Sequence, residues 1–356
     1  MRGRAVKLLL TGACGFAGST IAEAMLASRE SLEIVGVDNF IRAGSELNRG
    51  RLLALGVKLV HVDIRSATDV ATLPKADWVL DCAANPSVLA GVDGRTSSRQ
   101  LLEHNLGGTI NLLEYCKDHR AGFILLSTSR VYSIAALGGL ETEVVEGGFR
   151  PAPQEVRGLT EQGVAESFST APPISLYGVA KLASEQLALE YGETFGLPMW
   201  INRCGVLAGA GQFGKADQGI FSFWIHSWRA GRPLKYIGFG GHGHQVRDCL
   251  HPRDLVPVLL QQMAGAAGPR IQNLSGGVGQ SMSLRQLSDW CAGRFGPREV
   301  TSDPLPRPFD LPWLVLDSSL ARRSWPWRPE TSMERILEEI AAHAEANPAW
   351  LDTVTS

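Results

Sequence analysis

The eight residues Thr11-Gly12-Ala13-Cys14-Gly15-Phe16-Ala17-Gly18 constrain this chain more than any others. They follow a short apolar run, Val6–Leu10, and lead into a helix-like stretch, Gly18–Ala27. Glycines in such a turn permit a sharp change of direction, close approach of a pyrophosphate, and close helix–strand packing, while the helix N-terminus attracts phosphates. A glycine triplet alone is weak evidence, and an ordinary βα turn would also accept it. Here an acid stands at the required distance: Asp38, twenty residues past Gly18, follows the apolar run Glu33–Val37. A carboxylate there accepts the adenosine ribose hydroxyls and repels a 2′-phosphate, so NAD is favoured over NADP, although Arg42 could tolerate a phosphate.

The first half of the chain alternates. Apolar runs at Val57–Val62, Trp78–Cys82 and Gly122–Ser127 are separated from one another, and from a strand at Met199–Arg203, by helical patterns that include Gln100–Asp118 and Tyr177–Phe195. Short strands alternating with helices predict βαβ units. Right-handed crossovers then give an α/β, Rossmann-type doubly wound parallel sheet. After Arg203 the rhythm breaks, and helices are expected only at Leu284–Phe295 and Ser332–Ala344. Residues 1–204 are therefore expected to form the NAD-binding domain, and 205–356 mainly a smaller C-terminal substrate-binding lobe, with segments near 245–275 returning to the sheet. The proline-bearing stretch between Tyr132 and Tyr177 is expected to be a loop over the site, since connections this long usually carry function.

Composition excludes several classes. Of 356 residues 44% are hydrophobic and the formal net charge is -2, so the chain can bury a core and is not disordered. Balanced charge, with 34 basic and 36 acidic residues, predicts no nucleic-acid partner. Six scattered cysteines without a CxxC pair read as free thiols in a reducing compartment. The start at Met1 superficially resembles a signal peptide, but its apolar run is too short and leads straight into the glycine turn. No apolar stretch approaches ~18 uncharged residues, so no membrane span is expected, and the location is expected to be cytoplasmic.

Tyr177 and Lys181 share one face of a helix at i,i+4 spacing. A cation beside a phenol favours phenolate, and such a tyrosine can remove a hydroxyl proton while hydride leaves the same carbon. The pair is common on helices and by itself is equally well a surface feature. Ser127-Thr128-Ser129-Arg130-Val131-Tyr132 supplies hydroxyls at a strand end, where a merely polar terminus is the plain alternative. Asp63-Ile64 and Ala83-Ala84 follow the third and fourth strands, at the edge where a dinucleotide would lie. Asp63 is as good a helix cap as an adenine contact.

Taken together, TGACGFAG at 11–18, Asp38, DI at 63–64, HNLGGTINLLE at 104–114, STSRVY at 127–132, YGVAK at 177–181 and QVRDCLHPRD at 245–254 reach a family. The chain resembles the extended short-chain dehydrogenase/reductase family of nucleotide-sugar epimerases and dehydratases along nearly its whole length. The resemblance implies NAD as cofactor, Tyr177 as catalytic base and acid, and Lys181 lowering its pKa while holding the nicotinamide ribose. It implies Thr128 as the hydroxyl bonded to the reacting sugar oxygen and Arg247 as a partner of the diphosphate. The cofactor site so implied comprises Gly12, Cys14, Gly15, Phe16, Ala17, Gly18, Asp38, Asn39, Asp63, Ile64, Ala83, Ala84 and Asn105, together with Tyr177 and Lys181. Thr128, Ser129, Arg130, Gln218 and Arg247 form the substrate side.

Family dehydratases carry Asp-Glu directly after the catalytic Thr; here Ser129-Arg130 stand there, which demotes dehydration. The stretches Gln212–Gly219 and Gly241–Asp248 look most like the CDP-paratose (CDP-tyvelose) 2-epimerases, which implies a CDP-sugar and inversion at C2. A 4-epimerase, another sugar-nucleotide oxidoreductase and a non-catalytic NAD-binding scaffold are the alternatives. Ala208 departs from a Tyr usual in the family. A homodimer is expected, paired through helices 100–118 and 177–195 as in the family. His242 and His244 lack further ligands nearby, so no metal is expected. Phe221, Phe223, Trp224 and Trp228 fall at helical spacing and read as core or pocket wall, with base stacking open to one of them.

Overall fold

The computed structural model describes residues 5–28, 31–92, 94, 97–215 and 218–355. Seven strands, β1 (Val6–Thr11), β2 (Leu32–Asp38), β3 (Lys58–His61), β4 (Trp78–Asp81), β5 (Gly122–Thr128), β6 (Met199–Cys204) and β7 (Ile271–Leu274), form one sheet in the order β7-β6-β5-β4-β1-β2-β3. Every pairing in it is parallel. This is the doubly wound sheet expected from the sequence. Strand side chains alternate between faces, so each apolar run is buried twice. Leu8 and Leu10 pack with Ile21 and Met25 of α1 (Phe16–Ser28), whereas Leu9 packs on the other face with Leu112 and Leu113 of α2 (Gly108–His119) and Ala188 of α3 (Ser175–Phe195).

Two sequence expectations need correction. The helix placed at 100–118 is interrupted by a π turn at Glu103–Gly107. There the Asn105 carbonyl accepts hydroxyl bonds from Thr109 and from the distant Ser184, while the Asn105 side chain bonds the Asn85 backbone in both directions. Such bulges recur at functional sites. The segment after Tyr132 is not a loop over the site. It forms a short helix and two hairpins whose apolar side chains, among them Val164 and Phe168, pack against Leu311, Trp313 and Leu316. Among the described residues, none from 133 to 176 lines the central pocket.

The second lobe is built on α4 (Ile220–Ala230), α5 (Leu284–Phe295) and α6 (Met333–Ala346), with a small sheet in which Val246–Asp248 lies between Ser281–Ser283 and Trp313–Leu314. A capping box between Ser283 and Gln286 fixes the start of α5. Phe221, Trp224 and Trp228 are buried there with Leu287 and Ile340, and Phe223 packs against that cluster. The indoles of Trp224 and Trp228 bond to Ser288 and the Gly296 carbonyl. These four aromatics are core, and base stacking by one of them is not supported. His242 and His244 lie ring against ring, with His244 edge-on to Phe149.

Candidate active site

One elongated pocket runs along the carboxyl ends of the central strands. At one end lies the glycine turn. Gly12 has φ +60°, and a Cβ there would meet the Ala83 backbone at 3.0 Å. A Cβ on Gly18 would come within 2.2 Å of the Gly12 carbonyl. Only glycine lets α1 start this close to β1 and β4, and Gly12, Gly15, Phe16, Ala17 and Gly18 then line the pocket. The first turn of α1 thereby presents its backbone N–H end to whatever occupies the pocket.

Cys14 has a different place. Its thiol is buried in the core and pushed up to about 12 by burial, while its N–H donates to Asp38 Oδ2 at 2.9 Å. The Asp38 Oδ1 accepts from the Phe40 N–H at 2.8 Å, so the carboxylate is oriented by backbone on both oxygens. Burial nonetheless raises the Asp38 pKa. Asn39 donates to Asp63, and Arg65 clamps Asp63 through two guanidinium nitrogens, which holds its carboxyl well below the usual range. The helix-cap alternative for Asp63 fails, because Ser66 caps the helix that follows. Asn39, Asp63, Ile64, Ala83 and Ala84 all line the pocket. Asn105 does not; it supports the 83–88 loop from behind. Arg42 also lines the pocket, but its guanidinium donates to the Phe213 carbonyl at 2.9 Å and so ties the two lobes together.

At the other end stand Thr128, Ser129, Arg130 and Tyr177. They converge because β5 ends where the first turn of α3 crosses it: a Cβ on Gly178 would sit 2.3 Å from the Arg130 carbonyl. Thr128 Oγ1 accepts the Arg130 N–H at 3.1 Å. Burial raises the Tyr177 pKa, against the lowering influence of a Thr128 side-chain hydrogen bond and the Arg130 charge. Lys181 is 2% exposed, and its charge bears on the Cys82 and Cys204 thiols of the pocket wall.

Gln218 lines the pocket beside Gln212 and Phe213, which the sequence reading had not placed in the site; Ala216 and Asp217 lie outside the described residues. Arg247 does not line this pocket. It pairs with Asp310 at 2.9 Å, and Arg307 meets the other oxygen at 3.3 Å. Arg130 reaches toward this cluster and donates to the Phe309 carbonyl at 3.2 Å. Sequence reasoning missed Arg307 and Asp310; their signal was the tetrapeptide Arg307-Pro-Phe-Asp310 in the proline-rich tract. It also missed Glu185, which accepts from Ser127 and from Arg203 behind Thr128 and Tyr177. Glu185 falls four residues past Lys181, on the same helix face.

The profile of the NAD dependent epimerase/dehydratase family matches residues 8–274. A CDP-paratose 2-epimerase from Salmonella typhi is 30% identical over 80% of this chain and 85% of that protein. UDP-glucuronate 4-epimerase 2 from Arabidopsis thaliana is 26% identical over 94% of this chain and 75% of its own. A double mutant of dTDP-glucose 4,6-dehydratase from Streptomyces venezuelae, solved with NAD bound, superposes with a TM-score of 0.79 at 25% identity, covering 98% of this chain and 99% of that one.

Proposed function

The chain belongs to the NAD-dependent epimerase/dehydratase family, and from that premise we propose that it is a nucleotide-sugar epimerase inverting C2 of a CDP-hexose. The observation that carries this reading is the wall at 128–130. Thr128 stands beside Tyr177, while Ser129 and Arg130 occupy the places from which carboxylates would drive loss of water. Proton abstraction is thus provided for and elimination is not. The similarity to a CDP-paratose 2-epimerase supports C2 and cytidine.

The residues present fit NAD. A turn with no room for a Cβ at Gly12 or Gly18, a helix N-terminus, the Asp38 carboxylate and the buried Lys181 ammonium suit phosphates at one end and ribose hydroxyls at both. Asp38 would hold the adenosine ribose and disfavour a 2′-phosphate; Lys181 would hold the nicotinamide ribose. When bound, NAD supplies the acceptor, and later the donor, of a hydride. Tyr177 would take the proton of the C2 hydroxyl, with Thr128 bonding the same oxygen, as the C2 hydrogen departs as that hydride, which leaves a 2-keto sugar. Once the ketone has turned its other face, Tyr177 would return the proton to oxygen as the hydride returns to C2, and the configuration is inverted.

We assign residues 1–204 mainly to the cofactor and 205–356 mainly to the sugar nucleotide. Two copies are taken to pair through the helical run 98–119 and α3, on which Ile110 and Val179 are 39% and 40% exposed. The six free thiols support a reducing, cytoplasmic location. No helix among the described residues is long and apolar enough to cross a membrane. Redox balance tests the reading against a reductase. Epimerisation converts a CDP-sugar with no net formation or loss of NADH, and stoichiometric consumption of NADH would contradict it.

A further inference from the structure

Arg130 stands between two parts of the site. It lines the same pocket wall as Tyr177, and its backbone carbonyl packs against the first turn of α3. On its other side lie Arg247 and Arg307, joined through Asp310. Arg247 and Arg307 share the Asp310 carboxylate, the Arg130 guanidinium lies close enough to feel all three charges, and Asp248 acts on Arg247 from behind. Among the described residues Arg130 forms no ion pair, and its guanidinium donates to a single acceptor, the neutral Phe309 carbonyl. Most of its five donors are left for a ligand. Burial and the neighbouring arginines push it down to about 10, so an anion placed here would relieve an existing cost.

We infer that Arg130 is a specificity-determining contact that bridges the anomeric phosphate of the substrate to its C2 oxygen and thereby selects C2 over C4. The inference rests on the epimerase reading above. Its logic is the shape of a hexose diphosphate. The phosphate is carried on C1, and C2 is the adjacent carbon, whereas C4 lies across the ring. A planar guanidinium fork spans two neighbouring substituents; it does not span the ring. A cation that meets the reacting tyrosine on one side and the arginine cluster on the other therefore fits a reacting carbon next to the phosphate-bearing one.

The test uses purified full-length protein with CDP-paratose, comparing wild type with Arg130→Met and Arg130→Lys. Wild-type inversion at C2, read by proton NMR, comes first. Its absence overturns the parent reading, and the assignment of Arg130 falls with it. With C2 inversion established, Arg130→Met is expected to lose about 30-fold or more in kcat/KM, as for removal of a buried charged contact. Inhibition by CMP, which lacks both the sugar and the phosphate that carries it, should change much less, whereas inhibition by CDP should weaken. Arg130→Lys keeps the charge without the fork and should fall between the two, with C4 inversion emerging as a side reaction. Bound NAD content and the melting temperature report folding. Should Arg130→Met fail to fold, Arg130→Lys carries the test alone. A folded variant with kcat/KM within about threefold of wild type overturns the role of Arg130 and leaves the epimerase reading standing.

Discussion

Glu185 and Arg203 form an ion pair at 2.7 Å in which both side chains are almost wholly buried. Glu185 also accepts from Ser127 at 2.5 Å, and Arg203 donates to Tyr132, whose hydroxyl bonds Asn273 at 2.7 Å. The network fastens β5, β6, β7 and α3 together directly behind Thr128 and Tyr177. Removing one partner leaves an uncompensated charge in the interior, so Glu185→Ala should lower the unfolding free energy by ~3–5 kcal/mol. Urea denaturation measures it. A loss below ~1 kcal/mol would mean that the network does not hold the sheet and helix together.

Asp38 predicts cofactor choice. Its carboxylate is oriented by the Cys14 and Phe40 N–H groups toward the pocket. Asp38→Ala should weaken NAD retention by ~1–3 kcal/mol, as expected for hydrogen bonds to a charged group, and narrow the preference over NADP. Isothermal titration with each dinucleotide checks both. Undiminished discrimination would place the selection elsewhere.

Tyr177 predicts the pH dependence of turnover. Its phenol must be ionised to take a proton, and burial raises its pKa. The fraction able to act as base therefore grows as pH rises, so kcat/KM should climb from neutral pH into the alkaline range. Tyr177→Phe should lower turnover by ~10²–10⁴-fold and abolish that rise while leaving NAD bound. A variant with the wild-type profile would remove Tyr177 from the chemistry.

His226 predicts a pH dependence of stability. It is buried beside His343 at 3.3 Å, and burial, assisted by that neighbour, lowers its pKa from 6.5 to about 3. Between those values the unfolded chain binds the proton and the folded one does not. The stabilising contribution is therefore full above about pH 6.5 and is lost as pH falls toward 3, with a slope of up to ~1.4 kcal/mol per pH unit. His226→Asn should flatten the measured slope by that amount in urea titrations at successive pH values. Parallel wild-type and variant curves would contradict the burial of a neutral imidazole.

The sheet was legible because its signals are local. Apolar runs such as Val6–Leu10 and Gly122–Ser127 must be strands, and the spacing from Gly18 to Asp38 ties two strand ends to one ligand. Thr128 and Tyr177 were legible for the same reason, each lying at the end of a periodic element. What escaped depends on contacts between distant segments. Asp310 reaches Arg247 across 63 residues, and Glu185 reaches Ser127 across 58. The interruption at Glu103–Gly107 follows from hydroxyls at Thr109 and Ser184 competing for one carbonyl, which helical periodicity does not encode. The segment 133–176 was misplaced because its first hairpin bonds to His244, Ser283 and Gln286 and its second bridges to Leu316, so nothing near them in sequence announced a partner.

Proton NMR of the purified protein with CDP-paratose, without added NAD, tests the central claim most directly. The account predicts inversion at C2 with all other ring configurations unchanged, sustained by cofactor that stays bound, and turnover at least ~10²-fold slower in Tyr177→Phe. Inversion at C4, or a deoxygenated product, from wild-type protein would contradict the assignment of this site as a C2 epimerase.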